Sequence, residues 1–441
     1  MPNTTSPLSS RPASLTRSAS APAAAKPSEA QKPAAKVASA SPAATFDAVP
    51  GSTAPTAPRL GEPAPGGMSV LGARIAQVAK VGDGESAPPP KVGVLLTSHG
   101  DIDDPKSELR EYVREAVMKN PGLPLPKWIR PAVDKLGWPL QKDSLFDQYE
   151  QIGPTKYDEN SRKQADALTK ALGELGIEGK AYVGYNFLPP FIDDAVKQMK
   201  EDGITHIVVF NQGAQNSVAT MGESVDELHQ ALEKFPDWQV KATAVMEFND
   251  DDRFVKLLGD SLQRDVNEAF PGHKPEETLL LVTSHGLPQH LIDKGDPATA
   301  DMMATFAKLK ERFGALGYQI EHGYLNDDFF PGATWTEPKA EERVNMILEE
   351  VFAKKRVAPK NVLLDGRLSF TVHHRATMYD ANVVARGILE EPAGAPWARF
   401  PGAEVKLAPN FDGDAGLASL YANLTKEALE GRAENVEVIR E

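Results

Sequence analysis

The segment Thr278-Leu279-Leu280-Leu281-Val282-Thr283-Ser284-His285-Gly286-Leu287-Pro288 begins as an unbroken apolar run and ends on a histidine, a glycine and a proline. A short apolar run bounded in this way has the length and composition of a strand buried on both faces, as in a parallel sheet. His285 then falls just beyond the carboxyl end of that strand, where ligands bind in open α/β sheets. An earlier stretch, Val94-Leu95-Leu96-Thr97-Ser98-His99-Gly100-Asp101, has the same form. The pair implies two similar halves, each presenting a histidine at a strand-to-loop edge.

On either side of these segments, strands and helices alternate. In the first half, strands are expected at Val92 to Thr97, Ala181 to Phe187, Ile204 to Phe210 and Val240 to Met246. Helices are expected at Pro105 to Lys119, Pro190 to Glu201, Ser217 to Phe235 and Asp252 to Phe270. Asp158 or Asn160 can cap a further helix carrying Gln164, Leu168 and Leu172 and ending at Gly176. The Pro- and Trp-rich stretch from Pro121 to Pro139 reads as a lid over a cleft or a packed surface excursion. After Pro271-Gly272, strands recur at Thr278 to Thr283, Gln319 to Tyr324 and Asn361 to Leu364. Helices there are expected at Pro297 to Leu316, Pro338 to Ala353 and Thr377 to Leu389.

This βα series predicts an α/β protein of two Rossmann-like domains, with parallel sheets, flanking helices and a cleft between them. The expected divisions are a tail over 1–90, an N-terminal half over 91–271, a C-terminal half over 272–391 and an extension over 392–441. The extension carries a helix from Ala415 to Glu430 that can cross back to the first half.

Composition narrows the function. The chain has 441 residues, 41% of them apolar, enough for a sizeable core. A formal net charge of -14 with no offsetting basic stripe excludes nucleic acid as a partner, while it attracts a cationic metal. With no cysteine, there is neither a disulfide framework nor a thiolate metal site, and any metal must be met by nitrogen or oxygen ligands. No apolar run reaches the roughly 18 residues of a membrane span, so any membrane contact is peripheral.

The first 90 residues are dominated by Ala, Pro and Ser, which bury too little to offset ordering entropy, and they read as a disordered tail. Arg11, Arg17 and Lys26 precede the first acid, Glu29, so the tail is either a low-complexity extension or an organelle transit peptide. Cytoplasmic residence and organelle targeting are the two corresponding locations. Met68 to Ala76 can form a short amphipathic turn.

Of nine histidines, His206 and His229 read as structural or surface groups. His273 and His290 lie where no partner is evident in the sequence. His322 and Glu321 are strand neighbours and face opposite ways, so they form no joint site. His373-His374, which follows a strand and opens a helix, is the second functional candidate beside His285.

These residues resemble a known family. Ser284-His285-Gly286-Leu287-Pro288-Gln289, followed by Lys294-Gly295-Asp296-Pro297, resembles the catalytic-histidine segment of ferrochelatases, which insert ferrous iron into protoporphyrin. Phe146, Gln148-Tyr149 and Ile152-Gly153, then Pro190-Phe191-Ile192, are similar to the family's next landmarks. Gln215, Ser217, Thr220 and Gly222 follow in order, then Trp335 and Pro338, then His374, Thr377 and Tyr379 of the late His-x-Glu-Thr-x-Tyr segment. The resemblance spans roughly Val92 to Phe411 and implies a chelatase-like fold. It also implies His285 as proton acceptor and metal contact, His374 in support, and Gln215, Ser217, Trp335 and Tyr379 against the tetrapyrrole. Fe²⁺ and porphyrin are then substrates in haem biosynthesis, and no cofactor is bound permanently.

The paired Ser-His-Gly segments are also similar to the smaller cobalt chelatases of corrinoid synthesis, which implies His99 as a second metal ligand beside His285. The chain departs from the ferrochelatase pattern at Ala376, where the family has its acid, and at Asn211, Gly213, Ala214 and Asn216. The loop after Ile152-Gly153 is Pro154-Thr155-Lys156-Tyr157 instead of the family's glycine- and serine-rich one. Losing a general acid-base group typically costs about 10² to 10⁴ in rate. A member that has lost chelation and binds haem or a porphyrin, or serves as an interaction module, is therefore the alternative.

Overall fold

In the computed structural model of the protein, residues 89–325, 334–385 and 403–441 are described. The tail expected over 1–90 lies outside them as far as residue 88, with the turn expected at Met68 to Ala76, as does the end of the helix expected over Thr377 to Leu389.

The apolar runs form strands because each is covered on both faces. β1 (Val92–Ser98) is buried throughout, and β5 (Thr278–His285) is buried until its last residue. β1 lies between β2 (Gly179–Tyr185) and β3 (His206–Asn211), and β3 is followed by β4 (Lys241–Val245), all parallel. In the second sheet β5 lies between β6 (Gln319–Leu325) and β7 (Asn361–Asp365), again parallel. Each central strand therefore ends where the chain order reverses on either side, the switch point at which a crevice opens. His285 is the last residue of its strand rather than a loop residue.

Two edge strands escape the sequence pattern. β8 (Glu404–Leu407) joins β7 in parallel, and β9 (Val436–Arg440) runs antiparallel along β4. Both are short, carry charged residues and occupy sheet edges, so neither has the continuous apolar run of a central strand.

Around the sheets pack α1 (Pro105–Lys119), α2 (Arg130–Ile152), α3 (Tyr157–Glu174), α4 (Ile192–Glu201), α5 (Glu223–Glu233) and α6 (Asp252–Ala269). They are joined by α7 (Ala298–Ala315), α8 (Ala340–Phe352) and α9 (Ala415–Leu429), the last of which lies against α3 and α6 of the first half. The Pro-rich stretch is mainly the start of α2, with Pro139 inside the helix. An internal proline usually ends a helix, but here Leu145, Phe146 and Tyr149 pack on Leu109, Val113 and Val117 of α1, and tertiary burial wins. α3 begins one residue before Asp158, after Lys156 in a left-handed conformation (φ 56). Asp158 and Asn160 are thus inside the helix, and Asp158 with Glu159 complements the dipole instead of capping it.

One hydrophobic core serves both halves, joining Val94 and Phe210 to Leu280 and Leu363. Polar bonds tie them as well. Arg367 after β7 reaches Asp265 of α6 at 2.5 Å, and Gln164 of α3 donates to the Thr371 carbonyl at 2.6 Å. The halves are fixed relative to one another, so the crevice between their strand ends is preformed.

Candidate active site

The strand ends open onto a cavity of about 230 Å³ lined from both halves. Its walls include Leu109, Tyr112, Val113, Leu123, Leu145 and Phe187, an apolar surface suited to a flat organic ligand. The polar groups are fewer, and three are histidines: His99, His285 and His374.

His285 is held by its own loop. Its Nδ1 lies 2.5 Å from the Gly286 carbonyl oxygen, which only accepts, so Nδ1 carries the proton and the neutral ring has its lone pair on Nε2. The backbone amide of His285 donates to Ser369 Oγ at 3.0 Å. Trp335 and Phe370 stand edge-on to the imidazole at 6.1 and 5.9 Å between ring centroids.

His374 lies two residues before a π-helical segment, Ala376–Ala385, a rare geometry often found at functional sites. Its Nδ1 accepts from the Thr377 amide at 3.3 Å, which leaves its proton on Nε2. Burial and the neighbouring His285 hold its pKa far below the ordinary histidine range, so it is neutral at pH 7. His373 turns away, bonded to Thr377 Oγ1 at 3.1 Å, and burial lowers its pKa to about 4. Ala376 does line the cavity, with no atom able to accept a proton.

His99 stands on the opposite wall, stacked on Phe187 at 4.6 Å. Its Nε2 donates to the Ala219 carbonyl at 2.6 Å and lies 3.4 Å from Glu223 Oε2. Burial alone would lower its pKa, but Glu223 and the carbonyl outweigh burial and the net shift is upward. No group of three or more His, Asp or Glu side chains placed to hold a metal ion is found among the described residues.

The remaining residues expected at the site divide. Gln215, Ser217 and Trp335 line the cavity, whereas Tyr379 is not among its lining residues. Two of the three also hold the halves together: Gln215 donates to the Leu368 carbonyl at 2.8 Å and Ser217 to Asp296 Oδ2 at 2.8 Å. Trp335 Nε1 is buried with no hydrogen-bond partner among the described residues, so it offers a donor to a ligand. His273, for which the sequence showed no partner, is bonded to Tyr318 Oη at 2.6 Å and is structural. His322 is bonded to Ser284 Oγ at 2.7 Å, while Glu321 on the other face pairs with Arg356.

Two residues, Asp101 and Glu223, were missed in the sequence. Asp101 lines the cavity, its carboxyl pushed up to about 6 by burial despite bonds from Tyr149, Ile102 and Arg375. It was visible as the end of the Val94 to Asp101 segment. Arg375 also lines the cavity, with Nη1 3.0 Å from Gln148 Oε1. Glu223 gave no signal, being one acid among many on a helix.

Parallel sheets with a histidine at each switch point, facing one cavity, define a chelatase-like α/β protein. The ferrochelatase family model matches residues 91–407, and the chain belongs to that family. It is 25% identical to the mitochondrial ferrochelatase of Xenopus laevis over 316 residues, covering 69% of this chain and 72% of that one. It is 26% identical to the ferrochelatase of Aquifex aeolicus over 247 residues, 55% of this chain and 72% of that one. Among solved structures, SirB from Bacillus subtilis with Fe³⁺ is similar with a TM-score of 0.44 and 13% identity, over 78% of this chain and 99% of that one.

Proposed function

We propose that this protein inserts ferrous iron, or another divalent metal, into a porphyrin as a step of haem formation. Insertion exchanges one M²⁺ for two protons: two pyrrole N–H bonds break and their lone pairs bind the metal. The apolar walls bury the macrocycle faces at about 25 cal/mol per Å² of apolar surface removed from water. The centre of the ring is then presented to the histidines.

The observation that carries this reading is the tautomer of His285. With Nδ1–H given to Gly286 O at 2.5 Å, Nε2 has the lone pair that can meet the metal or take a pyrrole proton. His374 stays neutral and keeps its proton on Nε2, so it adds a donor beside His285 without a charge that would repel an incoming cation. The test is absorbance-monitored insertion of Fe²⁺ or Zn²⁺ into protoporphyrin and coproporphyrin. Turnover that is abolished in His285→Ala supports the reading, and turnover that survives the substitution refutes it.

Ala376 in the cavity wall favours a second reading, in which the site binds haem or a porphyrin without inserting metal. Tight porphyrin binding with no turnover for any metal would establish it. No helix among the described residues is long and apolar enough to cross a membrane.

A further inference from the structure

We infer that Arg130 is a positioning residue for substrate binding. From the first turn of α2 it fixes the loop Asn120 to Leu125, which forms one rim of the cavity, and so sets how tightly a flat macrocycle is held. The inference rests on the reading of the cavity as a porphyrin site.

The loop follows α1, and Asn120, Gly122, Leu123 and Pro124 line the cavity. Its tip reaches the opposite half: a Cβ added at Gly122 would lie 3.6 Å from Leu291 Cδ1. Leu123 packs on Leu109 and Val113 of α1, which line the cavity too. The loop's own bonds are short-range, from the Gly122 amide to Asn120 Oδ1 at 2.6 Å and from the Leu125 amide to the Leu123 carbonyl at 2.7 Å. Bonds of that kind shape a turn but do not place it on the protein.

Arg130 does place it. The side chain is 5% exposed, and all of its acceptors are backbone carbonyls. Nε donates to Leu125 at 3.1 Å and Nη2 to Leu123 at 3.3 Å, while Nη1 lies 3.0, 3.1 and 3.4 Å from the carbonyls of Met118, Asn120 and Val117. Both ends of the loop thus converge on one rigid planar fork. Val117 and Met118 belong to the last turn of α1, whose carbonyls lack helical partners and carry the negative end of the dipole, so the cation is met there without an acid.

The other arginine of this wall acts differently. Arg110 of α1 makes a two-pronged pair with Asp134 of α2, 2.6 Å on each arm, and joins helix to helix. A second residue serving only that purpose would duplicate it. A buried cation is strongly destabilising unless its donors are satisfied, and three of the five carbonyls that satisfy Arg130 belong to the segment lining the cavity. The rim is therefore held ready before any substrate arrives, and a preformed rim binds more tightly than one that must be ordered on binding.

The test is an absorbance titration of the full chain with protoporphyrin, with Zn²⁺ insertion into the same porphyrin followed in parallel. Arg130→Met is expected to raise Kd and KM for the porphyrin about tenfold, with kcat within about threefold because the histidines are untouched. Arg130→Lys keeps a cation but not the planar fork, and is expected to lose only about threefold in affinity. Amide hydrogen exchange at Gly122, Leu123 and Leu125 should quicken about tenfold in Arg130→Met while that of β1 stays unchanged. Faster exchange with unchanged Kd, or a kcat that falls as far as the affinity, would make the role merely structural and overturn the inference. Should Arg130→Met fail to fold, Arg130→Lys decides alone: wild-type affinity overturns the inference, and weakened binding with unchanged kcat upholds it. A wild-type chain that binds no porphyrin sinks this inference and the proposed function together. One that binds porphyrin without inserting metal sinks insertion alone, and the affinities of the two variants still decide the role of Arg130.

Discussion

The imidazole Nε2 of His99 lies 3.4 Å from the buried carboxylate of Glu223, so this cavity histidine is backed by an acid on the first helical turn of α5. The other charged groups around it are Glu227, whose charge also raises the His99 pKa, and Lys119 of α1, which pairs with Glu227 at 2.9 Å and Glu115 at 3.4 Å.

Removing the Glu223 charge reverses the balance at His99. Burial is the largest single influence on that ring and acts downward, against Glu223 and the Ala219 carbonyl. In Glu223→Gln the His99 pKa should fall from above the ordinary value near 6.5 to below it. An NMR titration of the His99 ring checks this, and an unmoved pKa would show that Glu223 does not govern it.

Acid should loosen the fold through His322. Burial, reinforced by Arg343, lowers its folded pKa to about 4, against about 6.5 in the unfolded chain. Between those values only the unfolded state takes the proton. The stabilisation from keeping the ring neutral is thus complete above pH 6.5 and is lost as pH falls toward 4, by roughly 3 kcal/mol. His322→Gln keeps a partner for Ser284 and removes the titration, so its stability should fall less steeply than wild type between pH 6.5 and 4.5. Parallel pH profiles from urea denaturation would refute this.

Arg367, 1% exposed, is held between Asp265 and Asp365 and closes the two halves on each other. Arg367→Met leaves two buried carboxylates without their shared cation, and breaking a buried pair typically costs about 3 to 5 kcal/mol. The urea midpoint should drop accordingly, and a loss below about 1 kcal/mol would mean that the acids simply protonate.

Much of this arrangement was legible because burial on both faces writes itself into sequence as apolar runs. β1, β5 and β7 could be read to within a residue or two, and with them the placement of His99 and His285 at strand ends. α2 could not, since Pro139 breaks the local pattern and only packing on α1 restores the helix. β8 and β9 were hidden for the converse reason, because an edge strand needs no continuous apolar run.

The sequence by itself determined the two-half α/β plan, the central strands and the histidines at their ends, because apolar periodicity and chain order encode these locally. Only the tertiary structure decided what each site residue faces. It placed Ser217 on Asp296, Glu223 behind His99, and Asp101 beside the backbone next to Ala376. Those contacts join residues 79, 124 and 274 positions apart, numbers that no local pattern carries; the first and third arise from how the two halves pack, and the second from how the end of β1 meets α5 within the first half.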